Sequence, residues 1–372
     1  MYKKGIFAVI ISIMIAVSFS GCVDNNAGNS NDVSKTITIQ DMAGRTVEIP
    51  ENVEKIVCSG SGTLRLVTYI QALDMLAGVE SCEHAEIKGS GKPYHIANIE
   101  YFKTLPVIGT QHVENLNHEN VIKVNPDVII ISYSEASVAD GIQEKTGIPV
   151  IIINYGEFES FCDKDLVGSL TLLGKVLNRE KRAAEVIKFF SDSEKDIQNR
   201  VKGVSDSEKP TVYIGGLSAR GAHGIHSTSS QYAPFEALKA KNVASSLELK
   251  KQIFVDKEKI IEWNPEIIFI DAGGYNLISE DYNKNPDYYN TLSAFTNGKI
   301  YTTYPYNYYT TNFGTALAST YYIGTVLYPE QFKDINPDEK ADEIYEFLVG
   351  KPVYTVLSEN YPGFQNVNFS KQ

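Results

Sequence analysis

The rhythm of hydrophobic and polar positions changes several times along this 372-residue chain. Met1-Tyr2-Lys3-Lys4 leads into an almost unbroken apolar run from Gly5 to Ser20. That run falls short of the roughly 20 residues a spanning helix needs, and small residues follow it. It therefore reads as a removable export signal over residues 1–21. Residues 22–34, rich in Asn, Asp, Gly and Ser, read as a flexible tether. Strict alternation then appears over Thr36–Gln40 and Thr46–Ile49, with Asp41-Met42-Ala43-Gly44-Arg45 between and Pro50 closing the second stretch, which predicts a β-hairpin.

From Lys55 onward, short apolar runs alternate with helical stretches, the pattern of parallel α/β structure. The pattern occurs twice. Asn120 to Ser132 is matched by Lys259 to Asp271, each a short helix ending at Asn-Pro and followed by a buried strand. Each copy is preceded by an apolar strand entering a Gly/Ser loop (Lys55–Gly62, Thr211–Ser218) and followed by a Gly-led strand (Gly147–Ile153, Gly298–Tyr304). Three elements in one order predict two similar α/β lobes, residues 35–162 and 203–372. Residues 163–202 connect them: Leu166–Leu177 reads as one helix, and Asn178 as the cap of another over Arg179–Lys202. That second helix carries a stripe of Ala183, Val186, Ile187, Phe190, Ile197 and Val201. Spanning about 36 Å, it predicts two lobes joined by a single long rigid helix that limits their swing, with a ligand cleft between them.

Composition narrows the function. Lys and Arg number 34 against 46 Asp and Glu, a net charge of −12, which excludes a broad basic surface and with it nucleic acid as a partner. Apart from Cys22, three cysteines remain, Cys58, Cys82 and Cys162. Their odd number and wide spacing give no disulfide framework and no zinc pair, and a Cys82–Cys162 bridge stays open. No nucleophile elbow, phosphate loop or H-E-x-x-H occurs. His223 and His226 have metal-capable spacing without an evident third ligand. No catalytic residue, resident metal or cofactor is therefore assigned, and binding is favoured over catalysis. Twelve of the 23 tyrosines fall between Tyr275 and Tyr328. Loops at the C-terminal ends of parallel strands, where such sheets take ligands, supply the expected lining: Ser61, Arg65, Tyr94, Tyr133, His223, Tyr304 and Tyr306. Tyrosine offers flat apolar area with a hydroxyl, suiting a large planar or amphipathic ligand.

Particular motifs add a resemblance. Phe19-Ser20-Gly21-Cys22 resembles the lipobox of exported lipoproteins, with Phe19 departing from the usual aliphatic residue; the resemblance implies lipid attachment at Cys22. Asp41-x-x-Gly-Arg45-x-Val47-x-Ile49-Pro50, Ala77-Gly-Val-Glu80, Leu105-Pro-Val-Ile-Gly109, Asn125-Pro-Asp-Val128, Gly147-Ile-Pro-Val150 and Pro234–Val243 resemble the iron-complex class of ABC-transporter substrate-binding proteins. The resemblance covers nearly the whole chain past the tether. It implies an exported, lipid-anchored receptor on the outer face of the cytoplasmic membrane that delivers an iron(III) or other metal chelate to an ABC permease and its ATPase. It also implies a permease-docking Glu on the first helix of each lobe. Glu236 fits in the second lobe, while Arg65 stands at the first-lobe position, as either a ligand or a permease contact. The alternatives are a cobalamin- or free-metal-binding receptor, an exported chelate-processing enzyme on the same fold, and a sugar-binding lipoprotein. A receptor should show a mostly neutral aromatic cleft, and a catalyst convergent titratable groups.

Overall fold

The computed structural model describes residues 35–155, 158, 160–247 and 252–369. The export signal, Cys22 and the tether lie outside the described residues.

The hairpin pairs β1 (Thr36–Gln40) with β2 (Thr46–Pro50) antiparallel. Its turn is made by one side chain. Asp41 Oδ1 accepts the N–H groups of Ala43 and Arg45 at 3.0 and 2.9 Å, and Gly44 supplies the φ of +79°. Arg45 returns one guanidinium nitrogen to Asp41 Oδ2 and to the Val150 carbonyl, both at 2.9 Å, and Ile152 donates its N–H to the same carboxylate at 3.2 Å. The Asp-x-x-Gly-Arg motif is thus a staple fixing the hairpin to the edge of the first sheet.

That sheet contains β3 (Ile56–Ser59), β4 (Leu76–Gly78), β5 (Val128–Ser132) and β6 (Val150–Ile153), ordered β4-β3-β5-β6 and parallel throughout. In the second lobe, β7 (Thr211–Gly215), β9 (Lys241–Asn242), β11 (Ile267–Asp271), β12 (Ile300–Thr303) and β13 (Gln365–Asn366) are ordered β13-β12-β11-β7-β9, with only β13 antiparallel. A small pair, β8 (Ser227–Ser229) and β10 (Gln252–Phe254), lies beside it. The strands β3, β5 and β6 correspond in order to β7, β11 and β12, so the twofold pattern is a twofold architecture. The two Asn-Pro helix ends also correspond, for a reason other than expected. Asn125 and Asn264 sit in the left-handed region (φ 50° and 40°) as C-caps of helices His118–Val124 and Lys257–Trp263, so the asparagine turns the chain before the proline is reached.

The connector consists of helices Lys164–Val176 and Glu180–Val201, the latter 22 residues and about 33 Å long. Asn178 does not cap it through its side chain. It adopts φ 52° and reverses the chain between the two helices. The expected stripe is buried at Ala183, Val186, Phe190, Ile197 and Val201. The long helix touches both lobes: Arg182 Nε donates to the Tyr69 carbonyl at 3.0 Å, its guanidinium covers the Phe347 ring at 4.2 Å, and Arg200 grips Asp334 with two bonds of 2.6 and 2.9 Å. One continuous apolar core runs through Ile56 and Ile130 of the first sheet, Phe190 of the connector, and Ile214 and Phe269 of the second sheet.

Candidate functional site

Parallel strands end together, and the loops leaving β3, β4 and β12 converge between the lobes. Glycine makes the approach close. Gly62 has φ +83°, and a Cβ there would lie 1.7 Å from the Tyr155 hydroxyl. The result is a small cavity of about 10 Å³, room for one water. Ser61, Gly62, Glu80, Cys82, Glu83, Tyr94 and Gln111 line it from the first lobe, and Tyr309 from the second. A wider open groove of about 800 Å³ lies at the opposite end of the first sheet, along Lys55, Leu76, Pro106 and Lys123, and takes in none of the expected residues.

The floor is acidic. Glu80 accepts from Ser59 Oγ at 2.8 Å and from the Gly60 N–H at 3.1 Å; burial pushes its carboxyl up to about 7 against these bonds. Glu83 is 4% exposed and fully engaged: Lys92 Nζ reaches it at 3.0 Å and the Tyr94 hydroxyl donates at 2.8 Å. Beside them, burial drives His95 down to about 4, so the ring is neutral near pH 7. The second lobe repeats the device at the end of β11, where Asp271 accepts from Ser218 Oγ and the Gly273 N–H and burial raises it to about 7.

Arg65 closes the lobes. It is 0% exposed, on helix Thr63–Tyr69, and directs its guanidinium across to the second-lobe loop after β12. Nε donates to Asn312 Oδ1 at 3.0 Å. Nη1 donates to the Thr311 carbonyl at 2.8 Å, Thr310 Oγ1 at 3.1 Å and the Tyr155 hydroxyl at 3.3 Å. Nη2 donates to the carbonyls of Tyr308 and Tyr309 at 3.1 and 2.9 Å. A second clasp joins Asn360 to Ile87, Gly89 and Ser90.

The expected lining residues separate in space. Ser61 and Tyr94 face the cavity. Arg65 lies behind it, saturated as described. Tyr133 is 46% exposed at the C-terminal end of β5, its ring edge-on to Tyr155 at 4.9 Å. Tyr306 packs at 5.6 Å from both Phe158 and Tyr232. Tyr304 is in the second-lobe core, 1% exposed and bonded to Ser358. His223 Nε2 donates to the Ala219 carbonyl (3.1 Å), and the ring stands edge-on to Phe254. Glu236 is exposed on the short helix Ala233–Ala237. Much of the tyrosine excess is structural, since Tyr289, Tyr304, Tyr321, Tyr322 and Tyr328 are all buried. Cys58, Cys82 and Cys162 are free thiols, so no Cys82–Cys162 bridge forms. Among the described residues no cluster of three or more His, Cys, Asp or Glu could hold a metal ion.

The lining is less neutral than a receptor cleft was expected to be. Glu80, Cys82, Glu83 and Tyr309 were not among the expected lining residues. The signal available was an acid directly after the short apolar segment Leu76–Val79, where burial follows from position.

Comparison with known proteins agrees with this architecture. The family described as periplasmic binding proteins matches residues 56–306. A Bacillus subtilis protein described as an uncharacterized ABC transporter substrate-binding lipoprotein, YvrC, is 23% identical over 73% of this chain and 81% of its own. The molybdate-binding protein MolA of Haemophilus influenzae is 21% identical over 91% of this chain and 94% of its own; its molybdate-bound structure superposes with a TM-score of 0.63 at 18% identity, over 85% and 98% of the two chains. A periplasmic solute binding protein from Veillonella parvula gives a TM-score of 0.66 at 19% identity, over 88% and 96%. With two parallel α/β lobes closing on a cavity at their strand ends, the chain belongs to the periplasmic binding protein family, as a substrate-binding protein of an ABC transporter.

Proposed function

We propose that the protein captures an iron(III) or other metal chelate between its lobes and delivers it to an ABC permease and its ATPase, held at the outer membrane face by a lipid on Cys22. The carrying observation is the aromatic mouth. Tyr133 stacks edge-on to Tyr155, Tyr155 meets Phe313, and Phe313 meets Phe158, which reaches Tyr306, while Tyr309 overhangs the cavity. Tyr155 and Phe313 are fully buried, so in this closed state the rings form one aromatic seam across the lobes at the strand ends, and parting the lobes there would bare ring faces suited to a bulky, partly apolar complex.

The charges beneath it favour a chelate over a bare oxyanion. Lys92 is tied to Glu83 and Arg65 to backbone carbonyls, so neither nearby cation is free for an anion, while two carboxylates face the cavity. These titratable groups converge, yet each is engaged with a protein partner, which suits support of a wall better than turnover. With room for one water, the described state is closed, and a chelate enters only when the loops carrying Ser61 and Tyr309 separate. Glu236, exposed in the second lobe, is the docking carboxylate for the permease in this reading.

A thermal-shift screen against haem, cobalamin, several ferric siderophores, free metal ions, molybdate and saccharides tests it. A chelate should raise the melting temperature while molybdate does not. Stabilisation by molybdate or a saccharide, with none by any chelate, defeats the proposal.

A further inference from the structure

We infer that Arg65 is the positioning residue of the mouth: from the first lobe it holds the second-lobe loop 304–312 over the cavity, and its release is the step that admits ligand. This deepens the proposed function and rests on the space between the lobes being the ligand site.

Three observations converge. First, the bonding is one-sided. A guanidinium carries five N–H donors, and every nitrogen of Arg65 is used on acceptors of the loop or of Tyr155, three of them backbone carbonyls, with no ion pair to Arg65 among the described residues. A buried cation without a carboxylate is held by those dipoles and by the Tyr94 ring, 5.5 Å from the guanidinium carbon, so the loop and the arginine depend on each other. Secondly, the loop is strained where Arg65 grips it. Tyr309 and Thr310 are consecutive non-glycine residues in the left-handed region, φ 51° and 65°. Such a conformation persists only where the surroundings enforce it. Thirdly, Tyr309 is the second-lobe residue lining the cavity, so the segment Arg65 grips is also the cavity's roof. Asn312 completes the arrangement, accepting from Arg65 and donating to the carbonyls of Tyr306 and Tyr308 at 3.1 and 2.9 Å.

Loosening this grip should free the loop without separating the lobes, because the Asn360 clasp and the connector contacts do not involve Arg65. The test is amide hydrogen exchange on ligand-free protein. In Arg65→Ala, amides over 306–312 should exchange at least about tenfold faster, with β3, β5 and the 87–90 segment still protected. Arg65→Lys should give a smaller acceleration in the same segment, because an ammonium has three donors in place of five. Should Arg65→Ala fail to fold, Arg65→Lys and Asn312→Ala decide. Folded variants whose 306–312 exchange equals wild type overturn the inference. So does acceleration spread evenly over the chain, which marks a merely structural residue. In a second arm, ferrioxamine B is the probe, and its association should quicken in Arg65→Lys. If wild-type protein binds no chelate while the loop still loosens, the chelate reading falls and the positioning role stands.

Discussion

Replacing Glu80 by Gln should make the protein more stable at pH 8 and leave it nearly unchanged at acid pH. Glu80 is 6% exposed, and burial holds its carboxyl at about 7, against 4.5 for an unfolded chain. The raised value means the folded state keeps its proton after the unfolded state has lost it. Between these two values the native protein binds more protons, so stability declines as pH rises and levels off above pH 7. At 1.36 kcal/mol per pH unit, the cost of ionising Glu80 in place is about 1 kcal/mol at pH 5 and about 3 kcal/mol at pH 8. Gln retains an acceptor for Ser59 Oγ and the Gly60 N–H and cannot ionise. Urea unfolding of wild type and Glu80→Gln at both pH values should show the variant's advantage growing by roughly 2 kcal/mol from pH 5 to pH 8. Asp271 is raised in the same direction, so wild-type stability should keep a residual slope in the variant. A pH-independent difference between the proteins, or a variant that loses ground as pH rises, would show that Glu80 is ionised and well solvated in the fold.

Other consequences are equally direct. Gly62→Ala places a methyl against the Tyr155 hydroxyl at a positive φ, and should cost about 3 kcal/mol or more in urea unfolding. Asn264→Gly should lose about 1 kcal/mol with the bond that Asn264 Oδ1 accepts from the Ser293 N–H at 2.9 Å, while Asn264→Val should lose about 2–3 kcal/mol, since valine also strains the left-handed C-cap. Non-reducing peptide mapping should find no Cys82–Cys162 link. Both thiols should react slowly with a disulfide reagent in native protein at pH 8 and fast in denaturant, because burial raises them to about 12 and 11.

Much of the architecture was readable because burial writes itself into composition. Strands covered on both faces are apolar throughout, as in Val128-Ile-Ile-Ile and Ile267-Ile-Phe-Ile, and the repeat of such runs with their Asn-Pro approaches announced two lobes. The connector was readable from its stripe, though Asn178 was mistaken for a cap because its role is a backbone angle, which the sequence does not display. The site was less legible. Arg65 bonds chiefly to carbonyls more than 240 positions away, and every residue has a carbonyl, so no partner could be inferred. Tyrosine pointed both ways. The same residue type fills the core at Tyr304 and Tyr321 and forms the mouth at Tyr133 and Tyr309, and only packing separates them. The Asp41–Arg45 motif, which carries part of the family resemblance, is a mechanical staple.

The central claim is capture of a chelate between the lobes, and calorimetric titration with the ferric chelate giving the largest thermal shift tests it most directly. Wild type should bind one chelate per chain, and Tyr309→Ala, which strips the roof of the cavity while leaving the core intact, should bind at least about tenfold more weakly. Affinity unchanged in Tyr309→Ala, or saturable binding of molybdate with no heat from any chelate, would contradict the account.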